Sequence, residues 1–277
     1  QLDARNDLTT EEKEAAKADA TSRANAAKTA IDNATTNATV DTAKTSGVAD
    51  VESVNPQASQ KKTDAKNAVD EALKAKEAAI DANNDLTAEE KAKAKEDAKA
   101  KADAAKTAID NATTNDAVTQ AKTDGATSVN SVNPTAQAKP AAKKAIDDAL
   151  KAKNDAIDAN NDLTAEEKAK AKEDAKAKAD AAKQAIDNAT TNAAVEQAKN
   201  DGATSVGSVT PTPVAKPEAK KAIDDALKAK NDAIDANNDL TAEEKAKAKE
   251  DAKAKADAAK QAIDNATTNA AVEQAKN

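Results

Sequence analysis

Large apolar residues along this chain occur singly and at helical spacing. In the segment 134–210, Ile146, Leu150 and Ile157 are separated by four and seven positions, which places them on one face of a helix. A second stripe follows and is mostly alanine: Ala171, Ala175, Ala179, Ala182, Ile186 and Ala189. Its steps of three and four residues are close to a heptad pattern, so we predict a helix that packs closely against its neighbours.

A third helix is predicted to start near Asn192. Its apolar face would carry Val195, Ala198, Gly202, Val206 and Val209. Gly202 either lets another backbone approach closely or weakens the helix by about 1 kcal/mol relative to alanine. The proline-bearing stretch 210–217, TPTPVAKP, is predicted to be a semi-rigid linker to the next copy.

The ends of these helices are indicated by local signals. Pro140 suits a first helical position, because proline has no N–H to lose there. The helix would end in DANND, residues 158–162, where Asn and Asp side chains compete for backbone hydrogen bonds. Thr164 and Glu167 have the spacing of a capping box, and Leu163 is placed for a hydrophobic staple. We therefore predict that the second helix begins directly after Thr164.

The whole pattern recurs along the chain. Leu8, Leu86, Leu163 and Leu240 mark four copies at intervals of 78, 77 and 77 residues, and residues 142–200 and 219–277 are identical over 59 positions. We predict an all-α fold of tandem three-helix bundles of about 77 residues, stacked into an elongated rod, because an odd number of helices puts entry and exit at opposite ends. The predicted domains are a partial repeat with helices 2 and 3 (1–55), two full repeats (56–133 and 134–210) and a repeat truncated in helix 3 (211–277). Either helices 1-2-3 or helices 2-3-1′ could form the closed unit.

Composition restricts the chemistry. Leu, Ile and Val make up 30 of the 277 residues, so each core is thin, and a mostly disordered or fluctuating helical chain is the alternative to bundles. The chain has no Cys or His, which excludes disulfides, thiol nucleophiles, Ser–His triads and the usual zinc sites. It has no aromatic residue, only two Arg, and a net charge of −8, so nucleic-acid binding is not expected.

Membrane insertion is not expected either. No apolar run reaches 18 residues, and the apolar faces are mostly alanine. No signal peptide or anchor motif is visible, so we expect the chain to be an internal part of a longer protein. We predict no catalytic, cofactor-binding or metal-binding residue, no cofactor, no small-molecule substrate, and a monomer.

The DANND loop is a weak candidate for calcium binding. Asp158, Asn160 and Asp162 match positions 1, 3 and 5 of an EF-hand loop. Leu163 stands where that loop needs glycine, and Ala169 stands where it needs glutamate. In the first copy Arg5 replaces the matching asparagine. We therefore favour a turn and a helix cap, with calcium as the alternative.

Two further motifs have plain structural interpretations. The triplet Asn-Ala-Thr, a possible glycosylation sequon, starts at four asparagines: Asn33, Asn111, Asn188 and Asn265. These letters fall where one helix ends and the next begins, so we favour helix-end chemistry. The lysine-rich run 168–178 is offset by nearby acids, which predicts a solvated face with ion pairs such as Glu166–Lys170 and Asp174–Lys178.

The ordered set of motifs resembles a known repeat. The matching pieces are Ile157–Lys168, Ala185–Lys199, Gly202, Val206, Val209 and Pro211, with counterparts in the other copies. They resemble the domain-of-unknown-function 1542 repeat, found in tandem in long, wall-anchored surface proteins of Gram-positive bacteria, including matrix-binding and biofilm-associated adhesins. The resemblance covers essentially the whole chain and brings no catalytic residue. It implies an extracellular, cell-surface location, with anchoring and contacts to host matrix or neighbouring cells made by other parts of the full-length protein.

Two functions follow as expectations. The first is a structural stalk that holds a terminal binding domain away from the cell wall, because length scales with the number of near-identical copies. The alternative is a multivalent binding module for host matrix or for intercellular adhesion, with avidity arising from repetition. That alternative would need an exposed apolar patch that recurs in each copy. An enzyme is a remote third hypothesis.

Overall fold

The structure, a computed structural model, describes residues 1–277 and consists of helices joined by short turns. A 3-10 helix spans Leu2–Ala4. The α-helices that follow are α1 Thr10–Asp32, α2 Asn37–Glu52, α3 Gln60–Ala82, α4 Ala88–Asn111, α5 Asn115–Asn130, α6 Ala138–Ala159, α7 Ala165–Asn188, α8 Asn192–Gly207, α9 Ala215–Ala236, α10 Ala242–Asn265 and α11 Asn269–Lys276. The all-α prediction is confirmed, and the disordered alternative is not what the chain adopts.

The helices pack in groups that follow the repeat. Helices α1 and α2 pack together, and α3–α5, α6–α8 and α9–α11 each form a three-helix bundle. The chain forms two compact units, residues 1–135 (unit 1) and 136–277 (unit 2). Successive helices of a bundle are antiparallel, since Lys143 near the start of α6 pairs with Asp187 near the end of α7. The exact residue at which one module gives way to the next stays a prediction.

Local caps set where the second helix of each copy begins. The Thr164 hydroxyl accepts from the Glu167 N–H at 3.4 Å, and a Glu167 carboxylate oxygen accepts from the Thr164 N–H at 2.9 Å. The same reciprocal pair occurs at Thr9, Thr87 and Thr241. The predicted capping box is thus confirmed in all four copies. Its two hydrogen bonds satisfy N–H groups at the helix start, which explains why an alanine-rich segment begins its helix at a fixed residue.

The core of the third copy consists of a few branched side chains set in alanine. Ile146, Ile186, Val195 and Val206 are buried together with alanines of the predicted stripe. A second cluster near the end of the bundle joins Leu163 to four partners: Ile157, Ala171, Ala175 and Val209. The alanine stripe is therefore confirmed as a packing face, which brings α7 close to both neighbouring helices.

Gly202 marks the closest approach between helices in this bundle. A Cβ at Gly202 would lie 2.4 Å from the Ala182 Cβ and 2.9 Å from the Ile146 Cδ1. Gly47 and Gly125 stand in the same relation to Ala27 and Ala105, at 2.3 Å in each case. Of the two interpretations of this glycine, the close approach is the one the structure supports.

Three boundary predictions were wrong by a few residues. Pro140 is the third residue of α6 rather than the first, which is tolerated because N–H groups in the first turn have no intrahelical acceptor. Val209 is buried but lies beyond α8, which ends at Gly207. The linker is shorter than 210–217, because α9 already begins at Ala215 and Pro217 occupies its first turn.

Candidate functional site

The DANND loop is a hydrogen-bonded turn. The Asn160 side-chain oxygen accepts from the Asp162 N–H at 3.0 Å, as in an Asx turn. The Asp158 carboxylate pairs with Lys172, and the Asp158 carbonyl accepts from the Lys168 ammonium at 2.8 Å. The turn prediction is confirmed, and the side-chain oxygens of Asp158 and Asn160 are engaged in contacts within the protein. No group of three or more acidic side chains is arranged to hold a metal ion.

The sequons and the lysine-rich run also lie at helix ends and on helix surfaces. Asn111, Asn188 and Asn265 are the last residues of their helices, and Asn33 follows α1 directly. The two predicted pairs, Glu166–Lys170 and Asp174–Lys178, are replaced by other contacts. Lys178 donates to the Ser208 hydroxyl at 2.9 Å, and the Glu166 carboxylate accepts a backbone N–H of the next copy.

Polar contacts concentrate where one copy meets the next within a unit. In unit 2, one Glu167 oxygen accepts from the N–H groups of Val214 and Ala215, at 2.9 and 3.0 Å. The neighbouring Glu166 accepts from the Asn269 N–H at 3.0 Å. The Ala165 N–H donates to the Thr267 carbonyl at 2.8 Å. The start of α7 is therefore hydrogen-bonded to the N-terminal ends of α9 and α11; we call this set of contacts the unit 2 joint.

A buried lysine of the downstream copy adds two hydrogen bonds to this joint. Lys216, in the first turn of α9, is only 5% exposed. Its ammonium donates to the Asn161 carbonyl at 2.8 Å and to the Asp264 carbonyl at 2.7 Å. Asp264 lies in the last turn of α10, where carbonyls lack intrahelical donors and the helix dipole favours a cation. One lysine thus connects the upstream turn to a helix end of its own bundle.

The unit 1 joint, between the first and second copies, repeats this arrangement. Lys62 is 5% exposed and donates to the carbonyls of Asp110 and Asn6, at 2.8 and 3.3 Å. The Glu11 carboxylate accepts from the Asn115 N–H at 3.1 Å. Glu12 uses its second oxygen to accept from the Ser59 hydroxyl at 2.8 Å. The glutamates and the buried lysine therefore have the same roles in both joints, but in unit 1 the Ser59 hydroxyl takes the place of the backbone N–H groups that bind Glu167 in unit 2.

The electrostatics of Glu167 reflect its two sets of partners. Burial raises the pKa of Glu167, but hydrogen bonds from the N–H groups of Thr164, Ala215 and Val214 outweigh burial and leave the pKa below its ordinary value. The last copy offers a comparison inside the same chain. There Glu244 accepts hydrogen bonds from Thr241, which lowers the pKa of Glu244, and both residues are exposed. Thr164, by contrast, is fully buried.

Sequence reasoning found the capping box but missed the joint. The spacing assigns Glu167 only to the helix that it begins, and no motif singles out the lysines at the start of helix 1. A signal existed in the recurrence of Lys62, Lys139 and Lys216 at exact 77-residue intervals. Lys139 is also buried, and it donates to the Asp187 carbonyl at 2.6 Å.

A family model described as "Domain of Unknown Function (DUF1542)" matches residues 1–59, 61–137, 138–214 and 215–277. The chain belongs to this family. Two of the matches begin at the first residues of α6 and α9, Ala138 and Ala215, and that for the second copy begins one residue after the start of α3. The predicted resemblance is confirmed. No solved structure matches the chain.

Several relatives are extracellular matrix-binding proteins of Staphylococcus aureus. The extracellular matrix-binding protein EbhA of strain Newman is 32% identical over 269 residues, covering 97% of this chain and 8% of that protein. The extracellular matrix-binding protein ebh of strain USA300 is 33% identical over 261 residues, covering 94% of this chain and 2% of that protein. The chain thus spans less than a tenth of the length of these relatives. None of its helices is long and apolar enough to cross a membrane.

Proposed function

We propose that this chain is a non-enzymatic spacer in a bacterial surface adhesin, which extends a terminal binding domain away from the cell wall. The observation that carries the proposal is the joint. In unit 1 and unit 2 the joint uses a pair of glutamates and a buried lysine that recur at the repeat interval, so a further copy brings most of these contacts with it. Such an arrangement supports a function that depends on length rather than on one site.

The location and partners follow from the same proposal. The S. aureus relatives are named extracellular matrix-binding proteins, which supports an extracellular surface region. In the proposal, anchoring to the wall and binding to host matrix are carried out by other parts of a longer protein. The repeats themselves act as monomeric helical modules without cofactor or small-molecule substrate.

Small-angle X-ray scattering on proteins with two, three and four copies tests the spacer. Each added copy is expected to increase the maximum dimension by a constant increment, of the order of the length of a 24-residue helix such as α7, which is about 36 Å. A maximum dimension that does not grow with copy number would contradict the proposal. Circular dichroism on the same samples checks that each added copy contributes its share of helix.

A multivalent matrix-binding module is the second candidate, and the names of the relatives favour it. The surface of the repeats argues the other way. The exposed large apolar residues are Val48 and Val214, at 52% and 49%. Neither recurs, since Ala126 and Ala203 occupy the position of Val48 in the next two copies. Binding to immobilised extracellular matrix that rises steeply from one copy to three would favour this candidate.

A further inference from the structure

The two carboxylate oxygens of Glu167 serve different copies. One oxygen accepts from the Thr164 N–H and begins α7 of its own copy. The other accepts from the Val214 and Ala215 N–H groups at the start of α9. Helix α9 has no side-chain cap of its own, because the residue before it is a valine. The cap of α9 is therefore supplied by the preceding copy.

The neighbouring glutamate has a similar relation to the third helix of the next copy. Helix α11 has a cap in Thr268, whose hydroxyl accepts from the Ala271 N–H at 3.1 Å, and Glu166 adds a second acceptor at the Asn269 N–H. Carboxylates at helix N-termini are stabilising because the first N–H groups lack intrahelical acceptors and the dipole favours negative charge. Both helix starts that face the joint are thus stabilised from the upstream copy.

We propose that the paired glutamates Glu11–Glu12 and Glu166–Glu167 couple the folding of their own copy to that of the next copy within units 1 and 2. The inference rests on the proposed spacer function, in which consecutive copies remain folded as neighbours. The coupling is reciprocal, because the same hydrogen bonds are lost whichever copy unfolds. The segment that unfolds cooperatively is then larger than one 77-residue repeat, although each three-helix bundle has its own core.

The two identical stretches of the chain allow a matched test. In Glu167→Gln the amide keeps a single acceptor oxygen, which suffices for the capping box with Thr164 but cannot also serve α9. Glu244→Gln makes the same change in the same local sequence, and Glu244 accepts only from Thr241. Hydrogen exchange is measured on the full chain of each variant, with circular dichroism to show that the helix content is unchanged.

For Glu167→Gln we expect exchange at the Val214 and Ala215 amides to accelerate about five- to thirty-fold, the factor that corresponds to the loss of a helix cap. Amides in the interior of α9, around Ile223, are expected to exchange faster as well, because the copy loses part of its coupling to the upstream bundle. Glu244→Gln is expected to leave both sets of amides unchanged.

Three results would overturn the coupling. The Val214 and Ala215 amides could remain as protected as in the unchanged chain. Exchange could accelerate at those two amides alone, which would make the contact local without coupling the copies. The two glutamine variants could also act equally on α9. None of these outcomes changes the dependence of the maximum dimension on copy number, so failure of the coupling and failure of the spacer function are distinguishable.

Discussion

Replacing Gly202 by alanine tests how closely the helices of a repeat must approach. Alanine has the higher helix propensity, which alone would stabilise α8 by about 1 kcal/mol. The added methyl group, however, would lie 2.4 Å from the Ala182 Cβ, whereas ordinary contacts of this kind begin near 3.4 Å. A methyl group on alanine has no other rotamer, so the backbones of α7 and α8 must separate by about 1 Å.

That separation weakens packing along the whole contact between the two helices. Overpacking of a well-filled core costs about 1–3 kcal/mol, and a gap of up to about 1 Å forfeits a quarter to a half of each dispersion contact that it opens. The Ile146 side chain, 2.9 Å from the new methyl, must also move, although its terminal carbon can rotate. We expect the packing loss to exceed the propensity gain, for a net destabilisation of the third copy of about 1–2 kcal/mol.

Hydrogen exchange resolved along the chain is the appropriate assay, because a chain of four copies need not unfold in one step. Amides of α8 are expected to exchange roughly five- to thirty-fold faster in Gly202→Ala. The matched control is Gly207→Ala at the exposed end of the same helix, where an added Cβ meets nothing within 4 Å. There alanine should be neutral or stabilising. If Gly202→Ala were as benign as Gly207→Ala, the close approach would not be a requirement of the fold.

Three further predictions concern the joint and its caps. Thr164→Ala should lower the local free energy of unfolding of its copy by about 1 kcal/mol, and by more than Thr241→Ala does in the last copy, because Thr241 is exposed. Hydrogen exchange of the amides of α7 and α10 in the two variants measures the difference. Lys216→Met should cost about 1–3 kcal/mol because it leaves two carbonyls without their donor, while Lys221→Met on the exposed face of α9 should change stability by less than about 0.5 kcal/mol. The folded-state pKa of Glu167 lies below its ordinary value of 4.5, so the contribution of Glu167 to the free energy of unfolding is present above about pH 4.5 and is lost as the pH falls through the lowered value. The difference in stability between the unchanged chain and Glu167→Gln should therefore shrink in acid. A pH-independent difference would contradict this prediction.

Helix starts could be predicted from the sequence because their determinants lie within a few residues. Thr164 and Glu167 are three positions apart, so the spacing alone indicates the reciprocal hydrogen bonds. The end of α8 was less predictable. Val206 and Val209 continue a helical apolar spacing, but the helix ends at Gly207, and Val209 is still buried in the same cluster as Leu163. The spacing of apolar residues indicates which side chains are buried, but a side chain can be buried after its helix has ended.

The joint was not predictable from the sequence, because its partners are backbone groups far away along the chain. Lys216 donates to carbonyls 55 and 48 residues away, and Glu167 accepts from N–H groups 47 and 48 residues away. Residues of every type have a backbone carbonyl, so residue identity does not indicate which carbonyl will accept a hydrogen bond. Lysine in an alanine-rich helix also has solvent as its default environment, and only the fold shows that this one is buried.

The joint also helps to explain how bundles with so little buried apolar surface remain folded. Cores made of alanine and a few branched residues bury little apolar surface, so apolar burial stabilises each bundle only weakly. Hydrogen bonds between neighbouring copies add to the stability of each bundle once per joint. In many of them one or both partners are backbone groups, which every copy has regardless of its side chains. Substitutions on the outer faces can therefore accumulate without disturbing the joint. The side chains that cap α7 and make the joint are the threonine, the two glutamates and the lysine at the repeat interval. In the proposed spacer, an added copy that carries these residues supplies both halves of the joint seen within units 1 and 2.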